Sequence, residues 1–332
     1  VNERHVPARF LTTIFVTLVL AGSPHATSAQ TQRMTRVAYV NIAAETPEHA
    51  SQRATFRATM RELGYIEGRN LILDWRYADN NPGRHRALVD EVIALNPDVL
   101  LGFEVTAQLM RAKTTSIPII LTGAFDPVLA GLAKSLARPA LNVTGSTQLM
   151  DQLTAKHFEL LREIFPNLSR VGQLVDTTAP GCRLIEGYAR RSAQQLGVAF
   201  RSYPVANRTE IERAFSQMQV ERPEALLPCP SPVLFSLRDV LFENAMRTRV
   251  PLTSYVVTNL PTGVLLAYAA TIDEGYRRAA LYVDKVLRGA KPGDLPIEQP
   301  TQFKLVVNLK TARTLGIAIP PSVLLKADQV IE

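Results

Sequence analysis

From Arg36 onward the apolar positions of this 332-residue chain switch repeatedly between two periods. Short runs rich in β-branched residues read as strands, and apolar residues three and four apart read as one face of a helix. Val37–Ile42 (VAYVNI) predicts a strand. Thr46-Pro47 then opens a helix, with the threonine oxygen at the N-cap and proline at the first helical position, where no N–H is needed. Phe56, Met60 and Leu63 line its buried face, and Gly64 ends it. Leu71–Trp75 predicts the next strand, and Asn81-Pro82 opens a helix with Leu88, Val89, Val92 and Ile93 inward. Val99–Gly102 and Pro118–Thr122 predict two more strands, each followed by a helix.

The pattern then restarts. Helices are expected over Leu153–Phe165, Gly187–Leu196, Glu210–Val220 and Pro232–Thr248, and strands over Val171–Val175, Val198–Tyr203, Ala225–Leu227 and Val264–Tyr268. Strand–helix–strand repetition demands parallel strands with helical crossovers. Two such units, joined near Asn142–Leu149, predict an α/β protein of two lobes with a cleft between them. Ligands of open parallel sheets lie beyond the carboxyl ends of the strands, so the informative residues are those in the loops that follow.

The first 29 residues follow a different pattern. Val1–Arg9 carries Arg4 and Arg9, Phe10–Ala21 is a largely apolar run, and Thr27-Ser28-Ala29 offers small residues for cleavage. This order of charge, apolar core and small-residue exit is that of a secretory signal peptide, the alternatives being an uncleaved anchor or a buried N-terminal helix. The run is too short to span a bilayer comfortably, and no cysteine at its exit allows lipid attachment. The remaining chain, of roughly 300 residues, suits two lobes better than one core. The expected division is residues 33–145 plus 268–298 for the first lobe and 146–267 plus 299–332 for the second.

The net charge of +7 falls to +6 without Arg4, Arg9 and Glu3 of the leader. Lys and Arg are scattered among acids and not gathered into a stripe, so no nucleic-acid partner is expected. Nucleotide-binding glycine motifs and the nucleophile elbow are missing from the sequence. His49, His85 and His157, the histidines left after the leader, show no metal-ligand spacing and read as surface or helix histidines. Cys182 and Cys229 both fall in the second lobe, which removes a racemase with one thiol on each side. An oxidising compartment permits a bridge between them, and strand order 2-1-3-4-5 would bring both to one rim; two partly buried thiols are the plainer alternative. No metal and no cofactor are expected.

The loops after the strands carry the candidate ligand-binding residues. In the first half these are Ala44, Glu45, Phe103, Glu104 and Thr106, then Phe125, Asp126 and Thr147. In the second half they are Asp176, Thr177, Ser231, Tyr255 and Tyr268. Thr46-Pro47, Asp126-Pro127 and Ser231-Pro232 each predict a helix N-terminus aimed at the cleft, where free N–H groups suit a carboxylate. The same side chains also serve as ordinary N-caps, an equally good account of them. Glu104 is suited to a ligand ammonium group and Phe103 to stacking on it, against the alternative of a solvated acid at a helix start.

Two segments and the C-terminal stretch from Asp273 to Glu332 resemble a family of ABC-transporter substrate-binding proteins related to tryptophan- and tyrosine-type binding proteins. Asp126–Thr147 (DPVLAGLAKSLARPALNVTGST) is similar to its DPV…GLV-SL-RPGGNVTG signature, and Glu62–Asn70 (ELGYIEGRN) to its LGYVEGQNV segment. Tyr276–Ala280, Gly289–Pro296 and Phe303–Pro320 continue the likeness, which covers about Arg36 to Glu332. The resemblance implies a type I periplasmic-binding-protein fold: two Rossmann-like lobes with parallel sheets and a hinge of three crossovers. It further implies a monomeric periplasmic receptor for a small organic solute, an amino acid or an aromatic or carboxylate compound. Its partner would be an inner-membrane ABC permease with its ATPase. A sensor for a membrane signalling partner is the alternative, and an α/β hydrolase or racemase a weaker one. A cytoplasmic sugar repressor of this fold would carry a helix-turn-helix where this chain has a leader.

Departures from the family pattern fall at cleft loops. Phe103-Glu104-Val105 replaces the small Gly-Thr-Pro, and Asp176-Thr177-Thr178 replaces an Asn-Pro turn. Gly263–Ala269 (GVLLAYA) keeps only Tyr268 of the polar part of GGLMSYG. Expressed in a Gram-negative host, the protein should appear in the periplasmic fraction with its N-terminus near Gln30. N-terminal sequencing that found an intact leader on cytoplasmic or membrane-bound protein would refute this reading.

Overall fold

A computed structural model of the chain describes residues 1, 2, 34–257 and 260–332. Apart from its first two residues, the expected leader lies outside the described residues. The first lobe is built on β1 (Thr35–Asn41), α1 (Pro47–Glu62), β2 (Leu71–Tyr77), α2 (Pro82–Ala94), β3 (Val99–Phe103), α3 (Glu104–Lys113), β4 (Ile119–Gly123) and β5 (Val143–Gly145). Its five strands lie in the order β2-β1-β3-β4-β5, all parallel. The second lobe begins with α4 (Met150–Ile164), β6 (Arg170–Asp176), α5 (Pro180–Gln195), β7 (Ala199–Val205), α6 (Arg208–Glu221) and β8 (Ala225–Pro228). It continues through α7 (Pro232–Ser236), α8 (Arg238–Thr248), β9 (Leu252–Ser254) and β10 (Val264–Ala270).

The chain then returns to the first lobe as α9 (Ile272–Leu287), whose Tyr276, Ala279, Tyr282 and Val283 pack with Phe56 and Met60 of α1 and Leu101 of β3. Full burial of Phe56 alone contributes on the order of 2–3 kcal/mol. A last crossing gives β11 (Phe303–Asn308), α10 (Leu309–Leu315), α11 (Pro321–Leu324) and β12 (Gln329–Ile331). The second sheet has the order β12-β11-β10-β9-β8-β6-β7, with β10–β11 its antiparallel pair. Three crossovers therefore join two parallel-sheet lobes, the type I periplasmic-binding architecture.

Local chemistry explains most element ends. The Thr46 hydroxyl caps α1 by accepting from the His49 N–H, and Asn81 caps α2 by accepting from Gly83 and Arg84. Gly145, at φ +128°, lies against the backbone of Leu121 so closely that a Cβ there would collide with it. A glycine is required at that joint between the first lobe and α4.

Several expectations are corrected. No helix follows β4: the segment after Asp126-Pro127 makes one turn and stops where Gly131 adopts φ +71°. The single helix expected over Pro232–Thr248 is two, broken at Leu237, whose ψ of 19° leaves the helical range. α5 starts at Pro180, well before Gly187, because a proline at the first position opens it ahead of the apolar pattern. His85 and His157 are helix histidines, in α2 and α4, and both are buried, at 2% and 0% exposure.

Cys182, in the first turn of α5, and Cys229, just after β8, form a disulfide with Cα atoms 5.6 Å apart. β6 pairs with both β7 and β8, which puts these two positions on one rim. Unfolded without reductant, the protein should show no titratable thiol, and reduction should lower its stability by about 2–4 kcal/mol, read from the urea midpoint. Two free thiols per chain would refute the bridge.

Candidate functional site

A cavity of about 910 Å³ is lined by residues of both lobes. Its walls come from the carboxyl ends of strands: Asn41 at the end of β1, Phe103 at the end of β3, Phe125 after β4, Asp176 at the end of β6, Ser231 after β8 and Tyr255 after β9. Parallel sheets expose backbone groups and loop side chains at this edge.

In the first lobe the floor is a hydrogen-bonded tyrosine pair. Tyr39 and Tyr276 hydroxyls lie 2.8 Å apart, and the Asn41 amide donates to Tyr39 at 2.7 Å. Burial pushes both phenols well above their ordinary range. Glu48 stands at the start of α1. Its own backbone N–H, the Thr46 hydroxyl and, across the cavity, the Arg238 guanidinium hold its carboxyl below the usual carboxylate range. His49 packs beside Tyr77 at 5.2 Å, and burial lowers its pKa.

Glu104 opens α3, and its carboxylate accepts from the backbone N–H of Asp126 at 2.8 Å. Burial raises its pKa, partly offset by that N–H and the one of Phe125. Asp126 in turn accepts from Val128 and Leu129 N–H through one oxygen and from the Tyr188 hydroxyl of α5 through the other, at 3.3 Å. Burial, with Asp126 beside it, pushes the Tyr188 phenol up to about 12. Phe125 meets Phe103 edge to face at 5.1 Å and covers Gly181, where a Cβ would lie 2.5 Å from the ring. Its ring packs with Met150, Leu153, Ile185 and Tyr188 of the second lobe. Only a glycine at 181 leaves room for it.

Across the cavity, Asp176 is 1% exposed. Its Oδ1 accepts from the N–H and hydroxyl of Thr178 at 2.8 and 2.7 Å, and its own N–H donates to Cys229 Sγ at 3.3 Å. Ser231 caps α7 by accepting from Leu234 N–H. Tyr255 stacks on His157 at 4.4 Å and shares a 3.0 Å hydrogen bond with Thr154.

Of the residues singled out from sequence, Phe103, Glu104, Phe125, Asp126, Asp176, Ser231 and Tyr255 stand on the cavity wall. The others do not. Ala44 and Glu45 precede α1 off the wall, with Glu45 paired to Arg53 at 2.7 Å on the exposed side. Thr106 is fully buried on the inner face of α3, where it bonds His85 at 2.9 Å. Thr147 donates to the Ala124 carbonyl, Thr177 is exposed beside Val205, and Tyr268 stacks on Phe303 at 5.7 Å. β10 runs two residues past Tyr268, so Ala269 and Ala270 reach the wall in its place.

Sequence reasoning missed Tyr39, Glu48, His49, Gln148, Arg238 and Tyr276 on the wall. Glu48 and Arg238 sit in the first turns of α1 and α8, a signal that caps and post-strand loops do not capture. Tyr276 comes from α9, far along the chain, and no local pattern announces it.

Burial lowers His85 and His157 to about 4. The unfolded chain binds these protons near pH 6.5 and the folded one does not until about 4, so stability should be full above 6.5 and fall as pH drops through that window. For the fully buried His157 the loss is on the order of 3 kcal/mol. Melting temperature measured from pH 7 to 4 should decline, with a shallower decline in His157→Gln. An unchanged slope in that variant would remove His157 as the source.

Residues 38–331 match the family described as ABC transporter substrate binding protein. A tyrosine-binding protein of Clostridioides difficile is 22% identical over 279 residues, 82% of this chain and 79% of that one. Among solved structures, a conserved domain protein of Vibrio cholerae superposes with TM-score 0.82 at 26% identity, covering 90% of this chain and all of the other. A domain from Streptococcus pneumonia in complex with L-Trp gives 0.81 at 22% identity, again covering 90% and 100%.

Proposed function

The chain belongs to the ABC transporter substrate binding protein family, and from that premise we propose that it is the extracytoplasmic solute receptor of an ABC importer. It binds a small organic solute, an amino acid or related aromatic compound, in the cavity between its lobes and catalyses no reaction. The observation that carries this reading is the cavity itself: aromatic and aliphatic walls with a few placed polar groups, contributed by facing strand ends of two lobes. The tyrosine and tryptophan named for two relatives support the aromatic part.

Residues 33–145 with 268–298 move as one body, and 146–267 with 299–332 as the other. The three crossovers serve as the hinge. Phe125 and Asp126 of the first lobe reach the N-terminal half of α5 in the second, so closure brings these contacts together. The closed form presents both lobes to the inner-membrane permease and its ATPase. The receptor acts as a monomer, exported by its leader to the periplasm.

Native mass spectrometry of protein purified from the periplasm should find one small organic solute per chain. A melting-temperature panel of amino acids, aromatic acids, amines, sugars and metal ions then checks its class. A solute at about a hundredfold its Kd adds about 2.7 kcal/mol. Response to sugars or metal ions alone would overturn the aromatic reading. Phe125→Ala should weaken the responding solute at least tenfold in calorimetric titration, and unchanged affinity would remove Phe125 from the site.

A further inference from the structure

The charged side chains on the cavity wall are unbalanced. Among the described residues Glu48, Glu104, Asp126, Asp176 and Asp239 face it, against the guanidinium of Arg238. This contrasts with the net +7 of the whole chain. Arg238 is itself engaged: it lies 4.7 Å over the Phe235 ring, donates to the Phe235 carbonyl at 3.2 Å, and faces Glu48.

The backbone donors that the sequence suggested for a ligand carboxylate are also taken. Glu48 occupies its own N–H at the start of α1, and Thr46 takes that of His49. Glu104 holds the N–H groups of Phe125 and Asp126, and Asp126 those of Val128 and Leu129. Ser231 holds Leu234. An added carboxylate at these three places would meet an acid or a hydroxyl already holding the donors it needs.

Two of these acids keep an oxygen without a hydrogen-bond partner, Glu48 Oε2 and Asp176 Oδ2; Arg238 faces Glu48, whereas among the described residues no cation pairs with Asp176. It is 1% exposed and on the wall; Thr178 satisfies Oδ1 twice, while Oδ2 has no hydrogen-bond partner. A buried carboxylate oxygen without a partner is costly and calls for a cationic donor. The Thr178 clamp and the hydrogen bond from the Asp176 N–H to the Cys182–Cys229 bridge fix its direction. Phe103, Phe125 and Tyr255 add aromatic faces to the same cavity, which favour a cation and its apolar body together.

We propose that Asp176 anchors the ammonium group of the solute, and that the cavity selects an organic amine with an aromatic or apolar body, for which a carboxylate is not required. The inference rests on the receptor reading above and narrows its solute class. It also accounts for the acid found where the family pattern has an Asn-Pro turn.

Phenethylamine, L-phenylalanine and phenylacetate share one ring and differ in the two charged groups. Calorimetric titration should find that phenethylamine binds at least as tightly as L-phenylalanine, with phenylacetate a hundredfold weaker or undetectable. Asp176→Asn should weaken phenethylamine at least thirtyfold while its ligand-free melting temperature stays within a few degrees of wild type. Phenylacetate or L-phenylalanine binding clearly tighter than the amine would overturn the proposal, as would unchanged amine affinity in Asp176→Asn. The solute released on denaturing periplasmic protein supplies a second readout independent of the probe ring. Reaction of that solute with an amine-specific label supports the proposal, and a solute that does not react overturns it. If no probe binds and no solute is released, the receptor reading itself fails and the inference falls with it.

Discussion

Parallel pairing is the constraint on which this molecule depends. A strand joined to a parallel neighbour must send the chain back along the outside of the sheet, so every loop that follows a strand opens on the same edge. β1, β3 and β4 do this in the first lobe, and β6, β8 and β9 in the second. The crossing segments are short, and they hold these two edges against one cavity. Asn41, Phe125, Asp176 and Tyr255, drawn from four distant parts of the chain, become neighbours of one space for that reason. The antiparallel β10–β11 pair arises where the last crossing returns the chain to the second lobe.

Features set by adjacent residues were legible in the sequence. Thr46-Pro47 and Asn81-Pro82 cap helices as their chemistry demands, and Ser231-Pro232 caps the short α7. Asp126-Pro127 obeys the same local logic and caps only a turn, because Gly131 and the path back to β5 override it. β5, β9 and β12 are three residues long, too short for alternation to register. On the wall, Phe103 and Asp176 at strand ends and Phe125, Ser231 and Tyr255 just past them were found, while positions whose helix or strand ran differently from the expected one were lost. Thr106 is turned by the helical period of α3 into the core, and Tyr268 sits before the true end of its strand. The Tyr39–Tyr276 hydrogen bond joins residues 237 apart in sequence and needed the fold to reveal it.

The acids of the cavity show how carboxylates are kept in a sheltered place. Glu48, Glu104, Asp126 and Asp176 are tied to backbone N–H groups or hydroxyls of their own or a neighbouring loop, and those bonds position the loops as much as they stabilise the acids. Glu104 connects the start of α3 to the loop after β4, and Asp126 connects that loop to α5. A charge total for the chain hides this arrangement, since the basic groups are spread over the exterior. The cleft has an electrostatic character of its own, opposite in sign to the average.

Phe125 gives the molecule a timing property. Its ring belongs to the first lobe and rests on Gly181 and the hydrophobic cluster of α4 and α5. Parting the lobes would withdraw that partly buried ring from its seat, at a cost of up to about 2 kcal/mol. A difference of that size would make the parted state up to about thirtyfold rarer than it would otherwise be. On the receptor reading proposed above, the residence time of a captured solute would be governed by how often the ring leaves its seat, and a permease that drew the lobes apart would release the solute by removing one side chain.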